Sequence, residues 1–157
     1  MLTLAHTVIS LAAIAAGFGV LYGMIYGRFS ANWTGVFLST TIITSASGYL
    51  FPAPNGVTPG HIVGVISLVA LAIAALALYK FKLQGGWKRA YVISAVAALY
   101  FNVFVGFAQA FQKIPEMKAL APTQSEPPFG LLQGGVLLLF LYLGRKALKG
   151  FQEHHFI

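Results

Sequence analysis

The hydrophobic and polar positions of this chain alternate on the scale of whole segments. Five long apolar runs are separated by short polar or basic stretches. Crossing the hydrocarbon core of a bilayer takes roughly 20 apolar residues in a helix. The pattern therefore predicts an all-α polytopic membrane protein, a single transmembrane domain over residues 1–157. Its five helices are expected at about 2–26, 33–51, 61–79, 90–111 and 128–144. The last run is short, so four spans with a re-entrant last segment are the alternative.

The composition strengthens this prediction. Charged residues make up 8% of the chain, hydrophobic residues 58%, and the mean hydropathy is +0.80. Because a soluble domain carries roughly 25% charged residues, these values exclude an ordinary soluble enzyme, a disordered chain and a soluble nucleic-acid-binding protein. The chain has no cysteine, which excludes disulfides, thiolate metal ligands and cysteine nucleophiles.

The basic residues are distributed unevenly among the loops. Eight of the ten lie in the first loop, the third loop and the C-terminal segment, and the other two, Lys113 and Lys118, lie in the fourth loop. By the positive-inside rule the N-terminus is outside and the C-terminus inside. The basic clusters are expected to meet the lipid bilayer and its anionic headgroups, and no nucleic acid.

Two helical hairpins of the chain resemble each other. Residues 3–8 align with residues 58–63 with three identities in six, which brings His6 onto His61. At nearly the same offset, Trp33 falls on Trp87. The pattern indicates a parallel repeat of two hairpins, and chance similarity within an apolar alphabet is the alternative.

Glycines recur at every fourth position in three of the apolar segments. Small residues at this spacing let helix backbones approach closely in lipid. We expect them to serve contacts within the chain or, alternatively, an interface with other membrane subunits or a second copy in a homo-oligomer. The glycines are Gly19, Gly23 and Gly27, Gly60 and Gly64, and Gly130 and Gly134.

Polar side chains of the apolar segments concentrate in the predicted outer leaflet. Polar groups inside a bilayer are costly and often functional. The predicted ligand-binding residues of this polar layer are Ser45, Ser47, Gln109, Gln112 and Gln133, with Asn102 nearer mid-membrane. His6 and His61 join them as cofactor ligands. Such a layer suits a quinone or lipid headgroup, a haem b, or a metal ion held by His6, His61 and Glu126, or it is purely structural. No bound cofactor is the first expectation. Glu153, His154 and His155 are expected to form a solvated tail.

The catalytic motifs of hydrolases, metalloproteases and nucleotide-binding proteins are absent from the sequence. With three acidic residues in the chain, no carboxylate is left inside the membrane to relay protons. We therefore predict a non-catalytic membrane protein, an accessory subunit of a membrane complex or a binder of a quinone or lipid. A haem- or metal-dependent redox protein is the alternative, and a small-molecule transporter comes third.

Three stretches carry a resemblance to known proteins. The runs WTGVFLSTTIITSASGYLFP, TPGHIVGVISL and ALAPTQSEPPF resemble a type of small bacterial inner-membrane protein. That resemblance implies a location in the inner (cytoplasmic) membrane of a bacterium and assigns no activity and no site residues. The paired histidines resemble those of cytochrome-b-like helical bundles, which implies haem ligation by His6 and His61. The second, inner-leaflet pair of a dihaem cytochrome is absent from this sequence.

Overall fold

A computed structural model describes residues 2–51, 56 and 58–153. The predicted all-α class is confirmed, because every regular element of these residues is helical. A 3₁₀ turn over Gly48–Leu50 extends the second helix, and a π-helical turn over Leu76–Lys80 extends the third. The six α-helices are α1 Leu2–Ile25, α2 Ala31–Ser47, α3 Pro59–Ala75, α4 Trp87–Lys113, α5 Pro115–Leu120 and α6 Pro127–Glu153.

Four helical segments of the described chain are long and apolar enough to cross a membrane. They are Thr3–Ile25, Pro59–Lys80, Trp87–Lys113 and Pro127–Gln152. This supports an integral membrane protein. The second helix is shorter, with 17 residues. Together with its 3₁₀ turn it reaches about 31 Å, close to the thickness of a hydrocarbon core. A fifth span stays a prediction.

The helices form a ring with one helix alongside. α1, α2, α3 and α4 run up and down, each packs against the next, and α4 closes on α1. α6 packs against α1 and α4 from outside the ring. The polar end of this bundle carries the starts of α1, α3 and α6, and the basic end carries the α1–α2 and α3–α4 turns and the end of α6. In every up-and-down bundle of four helices, the first and third helices run in one direction and the second and fourth in the other. This arrangement therefore does not test the hairpin repeat, which stays a prediction.

The first helix ends in a tight glycine turn at the basic end. Gly27 has a φ of 63°, which a residue without a side chain adopts at no steric cost. The N–H of Arg28 donates to the Gly23 carbonyl at 2.7 Å, and the N–H of Gly27 donates to Met24, the pattern of a Schellman motif. Ser30 then caps α2 by accepting from the N–H of Trp33. The turn thus brings the start of α2 directly against α1.

The turn between α3 and α4 is held by its aromatic rings. The N–H of Phe81 donates to the Leu76 carbonyl at the end of the π-helical turn. The Phe81 ring then stacks on the Trp87 ring with centroids 3.8 Å apart. Between them, Lys82 and Leu83 have φ values of 46° and 58°, which are uncommon for residues with side chains. The stacked rings therefore hold the two ends of the basic turn together, and the backbone between them adopts an uncommon left-handed conformation.

The last helix is longer than predicted. The sequence places its end at residue 144, whereas α6 continues unbroken to Glu153 and has 27 residues. Residues 145–149 are mostly good helix formers. Ala147 and Phe151 are fully buried, so this part is also fixed by tertiary contacts. Because α6 is one continuous helix that is long and apolar enough to cross a membrane, it favours a spanning last segment over a re-entrant one, and the number of spans stays a prediction.

The glycine pairs divide into two groups. A Cβ at Gly19 would lie 3.1 Å from the Trp33 ring, and one at Gly64 would lie 3.1 Å from Tyr49. These glycines therefore serve contacts within the chain, as predicted. A Cβ at Gly130 or Gly134 would meet nothing within 4 Å. Those two glycines of α6 are not used by the described contacts, and a partner subunit or a second copy at this face stays a prediction.

Candidate functional site

At the polar end, His6 is held by α2. Its Nδ1 lies 2.8 Å from Ser47 Oγ, and its ring meets the Phe51 ring edge-on with centroids 5.0 Å apart. Ser10, one turn further along α1, donates its hydroxyl proton to the His6 carbonyl. The imidazole therefore forms a hydrogen-bonded contact between α1 and the end of α2.

His61 has a different role, at the start of α3. Thr58 and His61 form a capping box, in which Thr58 Oγ1 accepts from the N–H of His61 and His61 Nδ1 accepts from the N–H of Thr58 at 3.2 Å. The Tyr49 ring stacks on the imidazole at 5.1 Å, and its hydroxyl donates to the His61 carbonyl. Because Nδ1 accepts a backbone proton, the neutral ring carries its own proton on Nε2. That tautomer offers no Nε2 lone pair to an iron.

The predicted third metal ligand, Glu126, is engaged by its own loop. Its carboxylate accepts from the Thr123 hydroxyl at 2.9 Å and from the backbone N–H groups of Thr123 and Ser125. Within residues 2–51, 56 and 58–153, no group of three or more His, Asp or Glu side chains could hold a metal ion. The residues described thus provide no three-ligand metal site, and haem ligation by His6 and His61 stays a prediction. His154 and His155 lie outside the described residues.

These hydrogen bonds make the loop sensitive to pH. Desolvation acts to raise the pKa of Glu126, but hydrogen bonds from the Thr123 side chain and from backbone N–H groups together outweigh it and hold the pKa below its ordinary 4.5. A lowered carboxyl pKa stabilises the fold above the unfolded pKa, and this contribution is lost as the pH falls through the folded value. We expect the loop around Thr123 and Ser125 to lose amide protection below about pH 4.5, measured by hydrogen exchange corrected for intrinsic rates.

Two substitutions in the same loop control this prediction. Glu126→Gln removes the titrating group, so protection should become nearly independent of acid pH. Glu116→Gln makes the same change of charge on the short helix α5 and should leave the acid transition in place. An unchanged transition in Glu126→Gln would contradict the assignment.

The other predicted layer residues inside the bundle are paired with protein groups. Ser45 donates to Ser67 Oγ at 3.4 Å, and Gln133 Nε2 donates to the Phe104 carbonyl at 3.0 Å. Asn102 Nδ2 donates to Thr41 Oγ1 at 3.1 Å across the centre of the ring. Buried oxygens without a hydrogen-bond partner in the described chain are Thr44 Oγ1 and Gln133 Oε1. They belong to α2 and α6, which are not neighbours, so they do not converge on one ligand.

The remaining two predicted residues lie at the surface of the polar end. Gln109 is exposed. Gln112 Nε2 donates to Gln124 Oε1 at 3.2 Å, and Gln124 Nε2 donates to the Ala108 carbonyl at 2.6 Å. This chain of hydrogen bonds ties the loop before α6 onto the end of α4. The polar layer therefore connects the helices to the loop. None of the clefts described in the structure lies in this layer.

A cleft lies instead near the basic end, between α1, α2, α4 and α6. Its volume is about 320 Å³, which is at the lower end of the range of ligand pockets. The buried side chains of Val20, Met24 and Phe151 form part of its wall. At its edge the Trp33 ring lies on the backbone of Gly19 and is half exposed. We call this space the amphiphile cleft; its lining residues are Gly19, Val20, Tyr22, Gly23, Met24, Arg28, Phe29, Ser30, Trp33, Thr34, Tyr91 and Phe151.

Two buried hydroxyl groups supply the polarity of the amphiphile cleft. Thr34 Oγ1 and Tyr91 OH lie 3.2 Å apart, and both side chains are almost completely buried. Their mutual hydrogen bond uses one of the two hydroxyl protons, so the other remains available to an acceptor. Arg28, which also lines the cleft, is exposed. The cleft thus combines aromatic and aliphatic walls, a buried hydroxyl donor and a positively charged group.

Sequence reasoning did not find this cleft. It aligned Trp33 with Trp87 in the hairpin repeat and assigned Gly19 to helix contact. The available signal was local. Gly19 and Gly23 in α1 are followed, across the turn, by Trp33 and Thr34 at the start of α2. The ring of Trp33 can therefore lie flat on the α1 backbone.

Comparison with known proteins yields no relative. No family model, no curated protein and no solved structure matches the chain. The resemblances to a small bacterial inner-membrane protein type and to cytochrome-b-like bundles therefore stay predictions.

Proposed function

We propose that this chain is a non-catalytic integral membrane protein that binds a small amphiphile of the quinone or lipid class. The observation that carries the proposal is the amphiphile cleft, with apolar walls around the hydroxyl pair of Thr34 and Tyr91. An apolar body fills such a space, and one carbonyl or ester oxygen accepts the spare hydroxyl proton. This matches the general anatomy of ligand sites, which are mostly apolar with a few orienting polar groups.

We locate the binding site in this cleft and not in the predicted polar layer. Most layer groups already have hydrogen-bond partners within the protein, as His6 has Ser47 and Asn102 has Thr41. A ligand entering the layer would have to break these bonds, and breaking a bond inside the membrane leaves an unsatisfied group that costs free energy. The cleft makes no such demand, because its hydroxyl pair keeps its own bond and still has a proton to donate.

The chain's two tryptophans allow a direct test. In a Trp87→Phe background, Trp33 is the sole tryptophan and reports on the cleft. We expect a short-chain benzoquinone to quench its fluorescence saturably in detergent. Thr34→Val combined with Tyr91→Phe removes both hydroxyls without opening the wall. Because a buried hydrogen bond contributes about 1 kcal/mol or more, this variant should bind about tenfold more weakly.

The control for this experiment is Ser47→Ala, which removes a hydroxyl from the polar layer. It should leave quinone binding unchanged. If Ser47→Ala weakens binding and the double hydroxyl variant does not, the ligand sits in the polar layer instead. If a short-chain benzoquinone gives no saturable quenching and a lysophospholipid gives no saturable change in the intensity or emission wavelength of Trp33, the proposed function is wrong.

We further propose five membrane spans, with the N-terminus outside and the C-terminus inside, in a bacterial inner membrane. The basic end carries the basic residues of the α1–α2 turn, of the α3–α4 turn and of α6, which supports its placement in the cytoplasm. Aromatic side chains exposed near that end, such as Tyr22, Tyr26 and Tyr79, suit an interfacial belt. The length of α2 with its 3₁₀ turn supports the fifth span.

Because the chain has no cysteine, single introduced cysteines report the orientation cleanly. Ser125→Cys places a thiol in the loop of the polar end, and Gln84→Cys places one in the turn of the basic end. In intact cells we expect a membrane-impermeant maleimide to label the first variant only. Permeabilised cells should be labelled in both. The opposite pattern would reverse the topology, and labelling of both in intact cells would contradict five spans.

A further inference from the structure

A second cleft lies on the basic end, beside the turn between α3 and α4. It is open to the surface and has a volume of about 700 Å³. Three basic side chains line it, and the lining contains no acidic residue among those whose side chains the structure describes. We call it the basic cleft; its residues are Lys82, Leu83, Gln84, Gly85, Gly86, Lys88, Arg89 and Gln152. Two of the three acids of the chain, Glu116 and Glu126, lie at the opposite end, and Glu153 follows Gln152 as the last residue of α6.

The start of α4 adds to the positive field of this cleft. Gly86 is the N-cap residue and provides no side-chain cap, and the first turn of α4 contains no acid. The N-terminus of a helix carries a partial positive charge from its unpaired N–H groups, which favours an anion. At the start of α4, cationic side chains surround this partial positive charge, and no side chain of α4 neutralises it. The described lining of the cleft therefore places three cations and a helix N-terminus within a small area.

The last turn of α6 holds two of the cations in place. Arg89 Nε donates to Gln152 Oε1 at 3.1 Å, and Lys88 Nζ donates to the Gln152 carbonyl at 3.4 Å. The ammonium of Lys88 also lies 5.5 Å over the ring of Phe151. The bond to Gln152 uses one N–H donor of the guanidinium, and the terminal nitrogens of Arg89 keep donors for a second acceptor. A guanidinium held in this way is preorganised to bind two oxygens of one anion.

The ring stack of Phe81 on Trp87 fixes the turn that carries Lys82. Tryptophan and basic side chains together are typical of the membrane interface, the level at which phospholipid headgroups lie. We propose that the basic cleft binds a phosphate group, with Arg89 as its bidentate donor and Lys82 as a flanking charge. The phosphate is carried by a phospholipid headgroup of the adjoining leaflet or by a soluble phosphate compound.

The test measures binding of dioctanoyl phosphatidic acid to the purified full chain in detergent by native mass spectrometry. Dioctanoyl phosphatidylcholine serves as the reference lipid. We expect saturable binding of phosphatidic acid, and about tenfold weaker binding in Lys82→Gln combined with Arg89→Gln. Both side chains are exposed, so this variant should fold normally. Arg89→Lys keeps the charge and loses the paired donors, and it should lie between the two.

The matched control is Arg145→Gln combined with Lys146→Gln. It removes the same charge from exposed residues of the same end, outside the cleft, and should change affinity by less than about twofold. Equal losses in the two double variants would overturn the proposal, because binding would then reflect general attraction to a basic surface. Absence of saturable binding of both phosphatidic acid and inorganic phosphate would overturn it as well.

Two further arms identify the source of the phosphate and separate this site from the amphiphile cleft. Displacement of bound phosphatidic acid by millimolar inorganic phosphate supports a site that recognises the phosphate group itself. Binding of inorganic phosphate with no binding of the lipid assigns the site to a soluble compound. Thr34→Val combined with Tyr91→Phe should leave phosphate binding unchanged. The binding proposals for the two clefts can therefore be contradicted independently of each other.

Discussion

Gly150→Ala is expected to lower the free energy of unfolding by about 3 kcal/mol, although it adds a single methyl group. The backbone of α6 lies directly on the end of α1 at this residue. An added Cβ would clash with the carbonyl oxygen of Ile25, and it would lie 2.6 Å from the Ile25 carbonyl carbon and 2.8 Å from the Met24 oxygen. Backbone atoms at a helix end cannot rotate away as a side chain can, so the two helices must separate.

The loss should be visible as a lower thermal unfolding temperature in detergent, followed by tryptophan fluorescence. Gly134→Ala is the matched control on the same helix, because its added Cβ meets nothing within 4 Å. There the better helix propensity of alanine should leave stability unchanged or raise it by up to about 1 kcal/mol. Equal unfolding temperatures for the two variants would contradict the close contact between α6 and α1.

Phe151→Ala is expected to cost about 3 to 4 kcal/mol. The ring is fully buried and lies 5.7 Å from the ring of Tyr91. Its removal leaves a cavity at the junction of α1, α4 and α6, where the surrounding helices can collapse only in part. The effect also reaches the amphiphile cleft, because Phe151 forms part of its wall.

Chemical unfolding in detergent with increasing denaturant measures this loss. Leu141→Ala serves as the reference on the same helix, since that side chain is 62% exposed, and it should cost less than about 1 kcal/mol. Phe151→Leu, which keeps most of the apolar volume, should recover part of the stability. If Phe151→Ala and Leu141→Ala prove equally stable, the end of α6 does not pack as described.

The sequence predicts the helices well because they depend on long apolar runs. The starts of α3 and α6 follow from Pro59 and Pro127, and the end of α4 follows from Pro115, since proline begins helices and restricts the residue before it. The end of α6 escaped prediction because it is basic and amphipathic, and hydropathy alone ends the segment at Gly144. Burial of Phe151 against other helices fixes it, and such a contact is not visible in a local pattern.

The site was harder to predict than the fold. Polarity identifies His6 and His61 as unusual, but it does not show that each already has a partner nearby, Ser47 for one and Thr58 for the other. Hydrogen bonds between distant helices depend on helix rotation, which an apolar sequence without amphipathic contrast does not specify. The amphiphile cleft depends on the same rotation, together with the close approach of Trp33 to Gly19. The sequence shows which residue types line the cleft, but it does not show that they lie close together.

The position of α6 outside the ring has a consequence for biosynthesis. The four ring helices are translated first and can close on one another while α6 is still being made. Its final turn, with Phe151 and Gln152, completes the wall of one cleft and anchors Arg89 in the other. A nascent chain that still lacks α6 therefore has neither cleft in finished form. Both arise together when the last turn docks, so ligand occupancy would report that assembly of the chain is complete.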